Sequence, residues 1–433
     1  HWPVKLIKIR RSIVSWTNKR ILGMGLPSSN FVGAGLSRLL FPQSYQRIHG
    51  IVLAVFDVLL FLGLVGIFYP GWGRVMAWLS CAAALASYYE LNINPVMLRN
   101  GVILLLPMIV TTLFASSTVR SAGAILDIVL GLCMFLPGVL FGRRLFYRPL
   151  QWAPLAVTFL FVLIHFAFPL VYLDRISYGF FDNPNLNGRG LAYVALLLGI
   201  LIWAFVSSDK GGISRFRLGV LVSLFTVASV GVISLLILTN YRAGWIAIAF
   251  FSVTSFFIVA RVSNLLKTAV LALFSGGLVG LIRFVDVKGF AYGSVGERLL
   301  MWHCSLESWF KNYFWFGSGF DSFKNLRLAC LPESAIDVHS YPHNISIELL
   351  LSGGLVGFAC VLIFVAYEFK ALNRAGCFSS PVASAALCAI LGLLISGQLG
   401  MKFASFTFIG SISALVGIAY SQSLRTGSSI CDS

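Results

Sequence analysis

Residues 344–367 read NISIELLLSGGLVGFACVLIFVAY, a stretch in which Glu348 is the one charged side chain. A helix of about 20 apolar residues crosses the hydrocarbon layer of a bilayer, because each residue adds about 1.5 Å of length. Apolar stretches of this kind recur along the chain and alternate with short polar segments. They predict an all-α integral membrane protein with about twelve transmembrane helices.

The composition supports a bilayer as the main solvent. The chain has 433 residues, of which 58% are hydrophobic and 11% are charged. A soluble globular protein carries about 25% charged residues, so this chain lacks the polar side chains to cover a water-facing surface. Its net charge of +17 comes from basic residues between the apolar stretches, where they orient helices and meet anionic lipid. We therefore expect membrane lipid and no nucleic acid as a partner.

Hydropathy divides the chain into five regions. They are a basic cytoplasmic or interfacial arm (1–48), transmembrane helices 1–9 (49–285), a long extracytoplasmic loop (286–343), transmembrane helices 10–12 (344–421) and a cytoplasmic tail (422–433). The predicted spans are 51–69, 74–91, 101–118, 122–141, 152–173, 190–206, 217–239, 244–260, 267–285, 344–367, 383–400 and 403–421.

The positive-inside rule predicts the orientation of these spans. With both termini in the cytoplasm, twenty of the 32 Lys and Arg residues fall on the cytoplasmic side. The long loop at 286–343 is then extracytoplasmic. It contains WHCSLESWFKNYFWFGSGFDSF (302–323), in which aromatic and polar residues alternate. This alternation is typical of short amphipathic helices at the membrane surface.

Three polar residues stand at helix boundaries on the predicted extracytoplasmic face. They are Arg189 in NPNLNGRG, Arg242 in TNYRAGW and His343 in HSYPHNISIELL. Guanidinium groups bind phosphate oxygens bidentately, so the arginine pair suits an anionic diphosphate. Histidine can remove a proton from a hydroxyl near neutral pH. Each also has a structural interpretation: an arginine at a helix end often reaches the lipid headgroups, and a lone loop histidine is more often incidental than catalytic.

Two further pairs have weaker signals. His339 and His343 are four residues apart, but Pro342 between them argues against a regular helix, and no third metal ligand is evident. We expect no metal site and no cofactor. Cys304 and Cys330 both fall in the long loop, where they could form a disulfide or remain two separate thiols.

The order of these motifs resembles the O-antigen ligase, polymerase and protein O-oligosaccharyltransferase superfamily. The similarity runs from about 183 to 357 and is strongest in the His-Asn, apolar helix, Gly-x-x-Gly block at 343–357 and in the Gly-x-Gly-Phe loop at 317–320. Tyr241-Arg242-Ala243 departs from the Ser-Arg-Gly that members often show, although the arginine is retained. The resemblance implies a metal-independent, inverting glycosyl transfer from a polyprenyl-diphosphate donor to an acceptor hydroxyl.

The resemblance also implies residue roles. Arg189 and Arg242 would hold the diphosphate, and His343 would take the acceptor proton or orient the acceptor hydroxyl. Arg298 could add diphosphate or sugar contacts, and His339 and Asn344 are further candidates for substrate binding.

Within the superfamily, a single long outside loop favours the O-antigen ligases. They transfer O-antigen from undecaprenyl diphosphate to the lipid A–core oligosaccharide at the periplasmic face of the bacterial inner membrane. A polymerase of the same superfamily is the alternative. A lipid or glycan transporter belongs to a different class and would need a polar pathway at mid-membrane, whereas few charges fall within the spans.

Overall fold

A computed structural model describes residues 58–65, 67, 72–86, 118–147, 158, 169–172, 175–178, 184–207, 215–239, 241–259, 294–330, 341–374, 376 and 379–423. Residues 58–65 are helical, and eleven further helices and two strands have named bounds. They are α1 (Trp72–Ala86), α2 (Thr118–Cys133), α3 (Phe135–Tyr147), β1 (Pro169–Tyr172), β2 (Arg175–Tyr178), α4 (Pro184–Ser207), α5 (Arg215–Leu238), α6 (Arg242–Val259), α7 (Ser294–Asn312), α8 (Phe323–Cys330), α9 (Ile345–Arg374), α10 (Pro381–Gly400) and α11 (Phe406–Ser423).

Four described helices are long and apolar enough to cross a membrane. They cover Ser121–Arg143, Gly188–Ser207, Ile345–Arg374 and Pro381–Gly400. The apolar parts of α1, α5, α6 and α11 are shorter. The predicted class, an all-α membrane protein, is confirmed. The count of twelve spans and their sidedness remain predictions, because the span at 267–285 and all but the last residue of the span at 101–118 lie outside the described residues, as does the arm at 1–48.

Helix α10 lies at the centre of the described bundle and contacts α4, α6 and α11. It is rich in Ala, Ser and Gly, and thirteen of its residues are buried. Small side chains allow membrane helices to approach closely. At Gly392, an added Cβ would lie 2.8 Å from the carbonyl oxygen of Ala247 in α6. Helix α10, whose C-terminal end lies at the candidate site described below, is therefore packed inside the bundle.

A β-hairpin interrupts the helical pattern before α4. Strand β1 pairs antiparallel with β2, with Pro169 opposite Tyr178 and Tyr172 opposite Arg175, and β2 packs against α4 and α5. The predicted span at 152–173 is therefore wrong at its C-terminal end, where residues 169–172 form a strand. Apolar and β-branched residues suit a strand as well as a membrane helix, so hydropathy alone did not separate the two.

The long loop is folded onto α9. Met301 and Cys304 of α7, Phe323 of α8 and Leu351 of α9 form a buried apolar cluster. The opposite face of α7 exposes Leu306 and other apolar side chains. The loop thus contains the short amphipathic helices that its alternating aromatic and polar residues predict.

Helix α9 is broken at Gly354, whose φ of 63° is not helical. A continuous helix would bond the carbonyl oxygens of Leu351 and Ser352 to the N–H groups of Leu355 and Val356. Here the loop that follows α7 replaces these partners. Ser318 and Gly319 donate N–H bonds to Leu351 and Ser352 (2.8 and 3.0 Å), and the carbonyls of Phe314 and Trp315 accept from Leu355 and Val356 (2.8 and 3.1 Å). All four backbone groups exposed by the break are satisfied, which fixes the loop to the helix.

We expect Gly354→Ala to destabilise this junction strongly. An added Cβ would lie 2.3 Å from the carbonyl oxygen of Trp315, and the positive φ alone costs a non-glycine residue about 1–3 kcal/mol. The measurement is the thermal melting temperature of the purified protein in detergent. Gly123→Ala is the control, because no atom lies within 4 Å of its added Cβ. Equal melting temperatures for the two variants would contradict the proposed junction.

Candidate active site

Arg189 lies in the second turn of α4, close to the end of α10. Its Nη2 donates hydrogen bonds to the hydroxyl of Tyr341 (2.6 Å) and to the carbonyl oxygen of Gly400 (2.5 Å). Gly400 is the last residue of α10, where the unpaired helix carbonyls carry partial negative charge. One edge of the guanidinium is therefore fixed to the protein by oxygens from two distant segments.

On the other side of Arg189 lie two polar atoms that lack a hydrogen-bond partner among the described residues. Arg189 Nε and the Tyr241 hydroxyl are both buried, and neither has a hydrogen-bond partner of good geometry within the described part of the chain, although Tyr241 lies close enough to the guanidinium to interact with it. A buried polar group without a partner costs about 1–3 kcal/mol. An oxygen-rich ligand at this position would supply the missing acceptor for Nε.

Tyr241 is held in place by two glycines. An added Cβ at Gly188 would lie 2.3 Å from the Cβ of Tyr241, and one at Gly244 would lie 2.6 Å from its ring. The tyrosine is thus packed between the start of α4 and the start of α6. This contact brings NPNLNGRG and TNYRAGW together and places Arg242, the first residue of α6, beside the Arg189 region.

Arg298 of α7 joins the same group. Burial lowers the pKa of the half-buried Arg298, the hydroxyls of Tyr241 and Tyr341 oppose this shift, and repulsion from Arg189 and Arg242 adds to it. Arg189 and Arg242 therefore both lie within electrostatic range of Arg298. No carboxylate among the described residues forms a salt bridge with any of them. Three cations with no bonded carboxylate among the described residues are suited to an anionic ligand.

His343 stands directly before α9 in a left-handed backbone conformation, with φ of 57°. Its ring lies against that of Tyr341, with centroids 4.1 Å apart and planes tilted by 36°. The Trp302 indole N–H donates to the carbonyl oxygen of Pro342 (2.9 Å), which ties this turn to α7. Non-glycine residues adopt this conformation at a cost and often do so at functional sites. The ring contact with Tyr341 and the hydrogen bond from Trp302 to Pro342 together fix the imidazole next to Tyr341, the residue that binds Arg189.

Asn344 has a defined structural role. Its Oδ1 accepts hydrogen bonds from the N–H groups of Ser346 and Ile347, both at 3.0 Å, so it is the N-cap of α9. The predicted substrate contact through Asn344 remains a prediction.

The structure thus brings four of the predicted residues, Arg189, Arg242, Arg298 and His343, to one region. His339 lies outside the described residues. Cys304 is disulfide-bonded and buried, but the side chain of Cys330 lies outside the described set, so this pairing also remains a prediction. Among the described residues, no group of three His, Cys, Asp or Glu side chains could hold a metal ion.

Sequence reasoning did not identify Tyr341, which contacts both Arg189 and His343. Its hydroxyl also lies 3.4 Å from the carbonyl oxygen of Gly400. A signal was present in the motif itself, since Tyr341 precedes Pro342, and a residue before proline is held in an extended conformation. Nothing in the sequence indicated that the partner would be an arginine 152 positions earlier.

Comparison with known families gives one match. The family model described as O-antigen ligase matches residues 227–362. This range contains Arg242, Arg298, His343 and the loop that pairs with α9, whereas Arg189 and Gly400 lie outside it. A comparison with curated proteins gives no match.

Proposed function

We propose that this chain, which matches the O-antigen ligase family model over residues 227–362, transfers O-antigen polysaccharide from undecaprenyl diphosphate to a sugar hydroxyl of lipid A–core oligosaccharide. The observation that carries this proposal is the cluster of Arg189, Arg242 and Arg298, none of which has a salt bridge to a described carboxylate. A diphosphate supplies the negative charge that such a cluster lacks.

The donor diphosphate would bind between the three guanidinium groups. Arg189 is the best oriented of them, because its Nη2 is fixed by Tyr341 and Gly400. Guanidinium N–H groups match phosphate oxygens in spacing and charge, and such charge-assisted bonds are about twice as strong as neutral ones. Arg242 is exposed at the start of α6, where the positive end of the helix dipole adds to its charge.

The transfer itself exchanges one bond for another. The acceptor hydroxyl oxygen attacks the anomeric carbon as the bond from that carbon to the diphosphate oxygen breaks, which inverts the configuration. The electron pair of the broken bond stays on the diphosphate, where the arginines stabilise the developing charge. The acceptor proton passes to His343. Both steps need only protein side chains, so the proposed reaction is metal-independent.

Both substrates are lipids, which explains a site built at the ends of membrane helices. We place the protein in the bacterial inner membrane, with its termini in the cytoplasm and the site facing the periplasm, on the strength of the distribution of Lys and Arg along the chain.

A lipopolysaccharide gel from a deletion strain tests this function. We expect core without any O-antigen, together with long polymer retained on the carrier lipid, and we expect the wild-type gene to restore the ladder. Core that carries a single repeat unit would instead indicate a polymerase and would contradict the ligase assignment.

A further inference from the structure

The turn between α10 and α11 makes polar contacts with three different parts of the site. The carbonyl oxygen of Gly400 accepts from Arg189, Lys402 Nζ lies 2.8 Å from Asp321 Oδ1, and the N–H of Phe403 donates to Glu348 Oε2 at 2.7 Å. Three residues at this turn thus meet α4, the long loop and α9. This turn lies outside the range that the family model matches.

The two carboxylates that contact this turn, those of Asp321 and Glu348, are held in place by their own segments. Asp321 has a positive φ of 60° and follows Gly319, which is hydrogen-bonded to the broken α9. Glu348 is one helical turn after the Asn344 cap, is 3% exposed, and lies within electrostatic range of Lys402. Lys402 is therefore ion-paired with Asp321, with the buried Glu348 carboxyl group within electrostatic range.

Two lysines, Lys402 and Lys324, contact the Asp321 carboxylate, and they differ in exposure and in the segment to which they belong. Lys324 lies 3.3 Å from Asp321 Oδ2, but its side chain is 41% exposed and it belongs to the same loop as Asp321. The Lys402 side chain is 25% exposed and connects the loop to the turn after α10. Exposed pairs contribute little, whereas loss of one partner from a partly buried pair leaves the other charge poorly compensated.

We propose that Asp321, Lys402 and Glu348 position Arg189 by holding the turn that presents the Gly400 carbonyl to its guanidinium. These three are positioning residues, and the inference rests on the proposed diphosphate site. Without the ion pair, the turn can shift away from Arg189, and Nη2 loses one of its two fixed acceptors. The guanidinium would then bind the donor in a less defined orientation.

Binding of undecaprenyl diphosphate to the purified full chain in detergent tests this proposal, with melting temperature recorded for every variant. We expect Lys402→Met and Asp321→Asn to weaken binding about tenfold, within the range measured for coupled neighbours. Lys402→Arg restores the charge and should restore most of the affinity. Lys324→Met is the matched control and should bind normally, because Lys324 does not reach the turn.

A double-mutant cycle separates positioning from a general loss of structure. In an Arg189→Ala background, Lys402→Met should weaken binding no further, whereas in an Arg327→Ala background it should keep its full effect. Normal binding by Lys402→Met, with Arg189→Ala impaired, would overturn the positioning role and leave the diphosphate site intact. Normal binding by Arg189→Ala would overturn both. If Lys402→Met melts too early to be assayed, the same binding measurements on Asp321→Asn decide the question. In that variant Lys402 keeps its charge and stays within electrostatic range of Glu348.

Discussion

Arg189→Ala is expected to lower glycan transfer about 10²–10³-fold, the usual cost of removing one group that stabilises developing charge. Arg189 is fixed on one edge by Tyr341 and Gly400, and its buried Nε has no hydrogen-bond partner of good geometry among the described residues. Its loss removes a preorganised partner for the diphosphate. The measurement is transfer by purified protein from a polyprenyl-diphosphate-linked oligosaccharide, with the melting temperature as a check on folding.

Two comparison variants sharpen this test. Arg189→Lys keeps the charge but loses the planar fork, so we expect it to remain strongly impaired. Arg327→Ala removes an arginine whose Nε bonds the carbonyl oxygen of Lys324 within α8, and it should transfer at near the normal rate. Full activity of Arg189→Lys would show that charge alone is needed and would contradict the oriented clamp.

His343→Ala is expected to lower transfer about 10²–10⁴-fold, the range attributed to a positioned general base. Its imidazole lies against Tyr341 and its backbone is held in the left-handed region, so an added water would not reproduce its position. Donor binding should be retained, because the diphosphate contacts come from the arginines. Binding of undecaprenyl diphosphate and the rate of transfer, measured on the same preparation, separate the two effects.

His303→Ala is the matched control for His343. His303 lies in the same long loop, but it is exposed and pairs with Glu307 four residues away on α7. It should leave transfer unchanged. If His343→Ala loses donor binding and transfer in equal measure, the histidine belongs to the binding site, and its role as the acceptor base is wrong.

The membrane class could be predicted because it depends on local sequence, and the residues of the candidate site were proposed from motifs at helix boundaries. Long apolar stretches specify spans by length alone. Counting spans placed Arg189, Arg242 and His343 on one face, and the structure brings these residues into one region around Tyr241 and Tyr341.

The break in α9 and its partner loop could not be predicted in the same way. Gly353 and Gly354 sit within an apolar stretch that reads as one continuous helix, and the groups that satisfy the break come from a loop more than 30 residues earlier. The contact between Arg189 and Gly400 spans 211 positions. Such pairings arise from the packing of α4 against α10, and no short motif encodes them.

The reaction products test the central claim most directly. The purified full chain is incubated in EDTA with an undecaprenyl-diphosphate-linked oligosaccharide and lipid A–core, and the products are quantified by mass spectrometry. The three-arginine site predicts equal amounts of free undecaprenyl diphosphate and glycosylated core, with both lowered about 10²–10³-fold in Arg189→Ala. A transferred glycan that still carries phosphate, or undiminished transfer by Arg189→Ala, would contradict it.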